Sequence, residues 1–269
     1  MNWRAMRAIM QKDIRVVTRS RGVFLPLIIV PTALMIFIPA VLALSLGNMG
    51  AEIAQFDRML QSMPPNLLQT LEGFDERAQI TILTLVYVMA PMYLVVPLMV
   101  ASVIAADSFA GEKERNTLEA LLYTPTTDRE LFWAKLGSAW IPAIAVAWGS
   151  FLLYGLVGNI AAWPLVGRLL FPNWMWMILA IFVAPAVAGI GLATSVIVSA
   201  RVSTFQEAYQ LGGVIVLPVV LLVVAQVTGL LYLDSKMVFL LGIAFWIICA
   251  VLIRHGSSLF TRSRLLTGS

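Results

Sequence analysis

The sequence offers few side chains that could do chemistry. It contains one cysteine, Cys249, and one histidine, His255, both in or just after the last apolar segment. One thiol cannot form an internal disulfide, and one histidine cannot supply a zinc site or a histidine-based triad in an apolar chain. Ser195 and Ser199 lie in an apolar segment without a His, Lys or carboxylate to activate a hydroxyl. The residues therefore argue against an enzyme and predict no metal site.

The sequence also lacks a nucleotide-binding loop and a nucleic-acid-binding pattern. The sequence lacks G-x-x-x-x-G-K-[ST], the loop that binds ATP phosphates. Its basic residues form no basic–aromatic repeat, which argues against a nucleic-acid partner. Lys135 is the one charged residue within the apolar segments, whereas ion-coupled transporters place such residues inside the membrane. If the chain is a transporter, its energy is therefore expected from a partner chain rather than from a proton gradient. A sodium-coupled transporter or a membrane scaffold stays open.

The elements that hold these residues are apolar. Hydrophobic residues make up 60% of the 269 and charged residues 12%, about half of what a soluble domain needs. Six segments are long enough to cross about 30 Å of hydrocarbon as helices. They cover residues 23–46, 81–106, 131–157, 174–200, 208–231 and 237–253. The sequence therefore predicts an all-α membrane protein, a single domain over 1–269 with six transmembrane helices.

The placement of Lys and Arg predicts orientation. Fourteen of the 18 lie before the first segment, between the second and third or in the first turn of the third (Lys135), between the fourth and fifth, or after the last. By the positive-inside rule both termini are cytoplasmic. Residues 1–21 predict an amphipathic interfacial helix, which serves as a plain basic anchor or also binds anionic headgroups. The outer loop, 47–80, is predicted to cap the helix ends, with a substrate gate or a docking site as alternatives.

Residues 107–130 connect the second and third spans on the cytoplasmic side. Gly111 is predicted to break the helix that leaves the second span. Asn116 and Glu119 have the spacing of a helix N-cap, and Pro125 ends the short helix that follows. This helix is predicted to lie on the cytoplasmic surface, with the charged run 112–115 facing the cytosol. The pattern alone fits either a mechanical lever tied to two spans or a plain structured loop. Thr127 and Glu130 repeat the capping-box spacing and are predicted to open the third span.

The run 112–125, EKERNTLEALLYTP, followed by Arg129, Glu130 and Lys135, resembles the signature of type-2 ABC exporter permeases. The resemblance is nearest to bacterial permeases often labelled sodium or drug exporters. A weaker second patch, 200–218, is similar to the same subgroup's turn between the fourth and fifth spans. Six spans and an amphipathic start also fit, so the resemblance covers nearly the whole chain.

The resemblance implies a role and partners. The chain would be the permease subunit of an ATP-driven exporter for an apolar or amphipathic substrate, in a prokaryotic cytoplasmic membrane. It would bind no cofactor, since ATP and Mg would sit on two copies of a separate ABC ATPase subunit, and it would pair with a second permease chain as a homodimer or heterodimer. The segment 112–123 would be the coupling helix. The residues implied in coupling to the ATPase are Glu112, Glu114, Arg115, Thr117, Leu118, Glu119, Leu121, Leu122, Tyr123 and Pro125.

The resemblance also implies that the second and fifth spans line the path of the substrate. Methionine is flexible and polarizable, which suits varied apolar shapes. The candidate path residues are Tyr87, Met89, Met92, Met99, Gln210 and Gln226. The alternative for each is simple helix packing. Prolines within the spans, such as Pro91 and Pro185, are predicted to kink their helices.

Overall fold

The structure is a computed structural model that describes residues 3–45, 68–69, 71–115, 117, 127–202, 204–228 and 230–259. Its long helices are α1 (Trp3–Arg19), α2 (Arg21–Thr32, Ala33–Phe37 and Ile38–Ser45 in one run), α3 (Glu76–Glu114), α4 (Asp128–Val166), α5 (Trp174–Ser199), α6 (Phe205–Val227) and α7 (Ser235–Leu259). The described ranges contain no strand. Helices α2 to α7 are long and apolar enough to cross a membrane, which confirms the predicted all-α protein with six spans.

Helices α3 and α4 are longer than predicted, at 39 residues each. At 1.5 Å per residue they reach about 58 Å, well beyond a bilayer core of about 30 Å. At the end of α3 the prediction followed apolar composition and so stopped at residue 106, where charged residues begin. The helix continues to Glu114 because the charged side chains there are paired, as described below. Helix α4 instead continues past residue 157 through nine uncharged residues, 158–166.

The prediction that Gly111 breaks the helix was wrong. The backbone stays helical through Gly111 to Glu114, since one glycine costs a helix only about 1 kcal/mol relative to alanine. A Cβ atom at this position would lie 2.9 Å from Asp107 Oδ1. The glycine therefore leaves room for the Asp107 carboxylate beside the helix.

The start of α4 has the predicted capping box. Glu130 N donates to Thr127 Oγ1 over 3.3 Å, and Thr127 N donates to Glu130 Oε2 over 3.0 Å. The short helix predicted from Asn116 to Pro125 lies outside the described residues, apart from Thr117. Most of the predicted outer loop, residues 46–67 and 70, also lies outside them, and α3 begins at Glu76 with Asp75 as its cap.

Helices α3 and α5 form the centre of the bundle, and α4, α6 and α7 pack around them. Small residues on α5 allow the close approach. A Cβ atom at Gly191 would lie 2.6 Å from the Leu98 carbonyl oxygen of α3, and one at Gly189 would lie 2.4 Å from Cys249 Sγ of α7. Backbone contact of this kind is how membrane helices gain packing energy without a hydrophobic driving force.

Three membrane helices, α2, α3 and α5, contain a π-helical turn that is followed within three residues by a proline. The turns are Ala33–Phe37, Leu83–Val88 and Leu179–Val183, followed by Pro39, Pro91 and Pro185. A proline ring clashes with the carbonyl four residues earlier and cannot donate to it. Each opposed carbonyl falls inside the π-helical turn, so the wider turn absorbs the clash.

Candidate functional site

Helix α1 docks on α4 through a stripe that includes one acid. Met6, Ile9 and Val17 are buried, and Met10 Cε lies 3.1 Å from where a Cβ atom of Gly137 would be. Asp13 occupies the same stripe and is only 3% exposed. A buried carboxylate needs hydrogen-bond donors or a cation, and both come from α3 and α4.

Lys135, near the start of α4, is fully buried. Its ammonium nitrogen lies 2.6 Å from Glu112 Oε2, 2.7 Å from the Ser108 carbonyl oxygen and 3.2 Å from Ser108 Oγ. Asp13 Oδ2 is 3.8 Å away. A lysine has three donors, and here they meet a carboxylate and a serine of α3.

Asp13 is held by two hydroxyls from two different helices. Ser108 Oγ of α3 donates to Asp13 Oδ2 over 3.1 Å, and Ser138 Oγ of α4 donates to the same oxygen over 3.2 Å. The Asp13 carboxylate therefore joins α1, α3 and α4 at one point.

Two partly exposed cations complete the group. Lys12 Nζ lies 3.0 Å from Asp13 Oδ1 and also donates to Glu112 Oε1. Burial lowers the pKa of Lys12, but the hydrogen bond and charge of Glu112, with the charge of Asp13, outweigh it and raise the pKa above its usual value. Arg115 Nη1 pairs with Asp107 Oδ1 over 3.1 Å.

We call Lys12, Asp13, Asp107, Glu112, Arg115 and Lys135 the ion cluster. It holds three cations and three carboxylates, so its formal charge is balanced. It lies at what we call the α1 end of the bundle, where α1, the last turns of α3 and the first turns of α4 meet.

The end of α3 also holds the turn between α5 and α6. Lys113 Nζ donates to the Val202 carbonyl over 3.2 Å, and Phe205 N donates to Glu114 Oε2 over 2.8 Å. Glu114 thereby accepts from one of the free N–H groups at the start of α6, which carries a partial positive charge. Residues 112–115 thus contact three other parts of the fold: α1, α4 and the turn between α5 and α6.

No part of this arrangement provides for catalysis or a metal. Within the described ranges, no group of three His, Cys, Asp or Glu side chains could hold a metal ion. The six charges of the ion cluster pair with each other, so the geometry fixes helices relative to one another and does not expose a reactive group.

Comparison with known families decides the class of protein. The model of a family described as "ABC-2 family transporter protein" matches residues 7–244, most of the chain and the whole ion cluster. The chain belongs to the ABC-2 transporter family. No curated protein matches it. The ABC-2 permease is thus a multi-pass membrane subunit of an ABC transporter and is not itself the catalytic subunit.

The structure places four of the residues predicted to couple the ABC-2 permease to its ATPase: Glu112, Glu114, Arg115 and Thr117. Glu112 is 5% exposed, so the prediction that it faces the cytosol was wrong. The reason is Lys135, which pairs with it from α4. Glu114, Arg115 and Thr117 are exposed. The others, Leu118, Glu119, Leu121, Leu122, Tyr123 and Pro125, lie outside the described residues.

The predicted path residues of the ABC-2 permease fall on two helices that touch. Leu217–Val227 of α6 packs against Met89–Tyr93 and Leu83–Val88 of α3. Met89 is buried and Gln210 is exposed, while Tyr87, Met92 and Met99 are half-buried. Gln226 is 2% exposed, and neither atom of its amide has a hydrogen-bond partner among the described residues.

Sequence reasoning missed the ion cluster of the ABC-2 permease. One signal was present: Asp13 follows Met6, Ile9 and Met10 and precedes Val17 at three- and four-residue steps, so it lies on the apolar stripe of α1. An acid at that position predicts a buried partner. The identity of the partner, Lys135, cannot be deduced from the stripe because it is more than 100 residues away.

Proposed function

We propose that the chain is the permease subunit of an ATP-driven exporter, which moves an apolar or amphipathic substrate out of a prokaryotic cell. Two ABC ATPase subunits hydrolyse ATP, and two permease chains, identical or related, form the path. Both termini and the α1 end then face the cytoplasm. Family membership supports the role as a transporter subunit. The proposed direction of transport, out of the cell, rests on the resemblance of residues 112–125 to exporter permeases.

One observation carries the coupling mechanism. The segment 112–115 is the first part of the predicted coupling helix, 112–123. It is fixed to α1 and α4 by the ion cluster and to the α5–α6 turn by Lys113 and Glu114. A displacement of this segment by the ATPase therefore moves α1, α4 and the α5–α6 turn together with the end of α3. Buried ion pairs transmit such a displacement because breaking one leaves an uncompensated charge.

The substrate path of the proposal runs between α3 and α6. These helices bring Tyr87, Met89, Met92 and Gln226 to one helix pair, and the unpaired amide of Gln226 supports a polar contact there. A transported molecule with an acceptor or donor group would satisfy that amide. Apolar side chains over the rest of the helix pair suit an apolar or amphipathic molecule.

The test is to purify the chain from its native membrane in mild detergent, identify the proteins that accompany it and measure ATPase activity. We expect a stoichiometric P-loop ATPase. Leu122→Glu should release it or uncouple ATP hydrolysis from transport, because it puts a charge on the predicted coupling helix.

The matched control is His255→Glu, which adds the same charge at an exposed position in the last turns of α7. It should leave the complex intact. Purification of an active chain without an ATPase would refute the proposal of an ATP-driven exporter. It would favour a sodium-coupled transporter or a membrane scaffold instead. Equal effects of the two variants would refute the coupling role of residues 112–123.

A further inference from the structure

A second site lies at the end of the bundle opposite α1. Here the π-helical turn of α3, the loop between α4 and α5 and the start of α7 surround a cavity of about 400 Å³. Its walls include Ile82, Val86, Tyr87, Arg168, Trp174 and Ser235. Three separate elements thus build one pocket.

The loop that carries Arg168 is held in a fixed shape. Asn159 Oδ1 accepts from Leu170 N over 2.8 Å and from Phe171 N over 2.9 Å, and Asn159 Nδ2 donates to the Phe171 carbonyl over 2.7 Å. Asn173 Oδ1 then caps α5 by accepting from Trp176 N over 3.0 Å. Side-chain bonds of this kind replace the freedom of a surface loop with one conformation, which lowers the entropic cost of binding a ligand.

The α3 wall is fixed in a similar way. The π-helical turn leaves the Leu85 and Val86 carbonyls available to side chains, and they accept from Tyr154 OH and from Trp176 Nε1. Both donors are buried. Single π-helical turns are frequent at functional sites, and here the turn presents Tyr87 to the cavity.

The walls combine one cation with apolar surface. Arg168 is the one charged side chain among the described residues that line the cavity. Its Cζ atom lies 4.3 Å from the centre of the Phe74 ring, a cation–π contact that orients the guanidinium. The guanidinium has five donors in a planar fork that matches a phosphate. Leu169 and Trp174 beside it are 68% and 73% exposed, so apolar surface lines the opening of the pocket.

We propose that this pocket binds an anionic phospholipid. Arg168 holds the phosphate, the exposed ring of Trp174 lies at the level of the headgroup, as tryptophan does at membrane interfaces, and one acyl chain follows Ile82 and Val86. The ligand enters from the bilayer, because the exposed apolar residues lie on that side. This site goes beyond the transport function proposed above and does not rest on it.

The experiment measures quenching of Trp174 fluorescence by lipids with brominated acyl chains. The full chain is placed in phosphatidylcholine nanodiscs with a small fraction of brominated phosphatidylglycerol or brominated phosphatidylcholine. Subtracting the signal of Trp174→Phe isolates Trp174 from the other seven tryptophans. We expect an apparent affinity about fivefold higher for phosphatidylglycerol, the preference that one arginine near a headgroup gives.

Arg168→Gln should abolish this preference, while Arg168→Lys should keep part of it because the charge remains. The matched control is Arg77→Gln, which removes an exposed arginine from the first turns of α3, outside the cavity, and should leave the preference intact. Equal quenching of Trp174 by both lipids would overturn the proposal. Equal losses in Arg168→Gln and Arg77→Gln would also overturn it, since they would indicate a general effect of surface charge.

Discussion

The two ends of the helix bundle are held together by different chemistry. At the α1 end, the charged side chains of Lys12, Asp13, Glu112 and Lys135 link α1, α3 and α4, and Arg115 pairs with Asp107 within the end of α3. At the opposite end, the buried Trp176 stacks on Tyr154 with ring centres 4.6 Å apart and meets Phe171 edge to face at 5.2 Å. The hydrogen bonds there join uncharged side chains to backbone carbonyls of α3.

The difference has a mechanical meaning. Aromatic stacking with hydrogen bonds to fixed carbonyls has one good geometry, so the opposite end is suited to remain still. Ion pairs between long side chains are favourable over a range of positions, because Coulomb energy falls slowly with distance. The α1 end can therefore shift as a unit while its charges stay paired, whereas loss of a single charge is severe.

The largest expected effect is that of Lys135→Met. This change leaves Glu112 and Asp13 buried with one cation too few, which costs about 3–5 kcal/mol in the free energy of unfolding. Thermal unfolding of the purified chain in detergent measures it. The control is Lys113→Met, which loses one hydrogen bond to the Val202 carbonyl from a half-buried lysine.

A double variant sharpens this prediction. Glu112→Gln in the Lys135→Met background should recover part of the loss, because it removes the uncompensated charge. A Lys135→Met protein as stable as Lys113→Met would show that the ion cluster does not hold the α1 end together.

At the opposite end, Tyr154→Phe should cost about 1–3 kcal/mol, because it keeps the ring stack but leaves the buried Leu85 carbonyl without its donor. Chemical unfolding at low and high salt measures the loss, which should not change with salt since no charge is involved. Tyr209→Phe, on an exposed tyrosine of α6, is the control and should have no effect. A salt-dependent loss in Tyr154→Phe would contradict the assignment of neutral chemistry to this end.

Thr127→Ala should cost about 1 kcal/mol, as expected for loss of an N-cap side chain. Hydrogen exchange should speed up in the first turn of α4 and remain unchanged in the rest of the helix. Thr228→Ala, whose hydroxyl bonds only to carbonyls of its own helix, is the comparison. Faster exchange along all of α4 would show that the cap and the ion cluster are not independent.

The smallest expected effect is that of Arg115→Gln, about 0–1 kcal/mol, because the Arg115 side chain is 47% exposed. The difference in melting temperature from the unchanged chain should vanish near 1 M salt, where the Debye length is about 3 Å. The loss in Lys135→Met should persist in the same salt. If both losses vanished, the ion cluster would be as open to water at Lys135 as at Arg115.

Local patterns could be predicted from the sequence, and distant pairings could not. The six spans and the Thr127–Glu130 capping box depend on neighbours within a few residues, and both predictions were confirmed. The burial of Glu112 depends on Lys135 and on Lys12, which lies 100 residues earlier. From the sequence, the charged run at 112–115 was expected to face the cytosol. A solvated surface helix and a set of buried ion pairs have the same amino-acid composition, so composition could not distinguish them.

The π-helical turn in α3 has a consequence for reading this sequence on a helical wheel. Each residue of an α-helix advances by about 100° around the axis, and a π-helical turn contains one residue more than an α-helical turn. Residues after Leu83–Val88 are therefore rotated by roughly that angle relative to an uninterrupted helix. Tyr87 and Met99 cannot be assigned to one face by counting. Deletion of one residue from this turn would close it to an α-helical turn and would leave the rest of α3 facing the same partners. Deletion of one residue from the α-helical part of α3 that follows would instead rotate the residues beyond it, Glu112 of the ion cluster included, by about 100° away from Lys135.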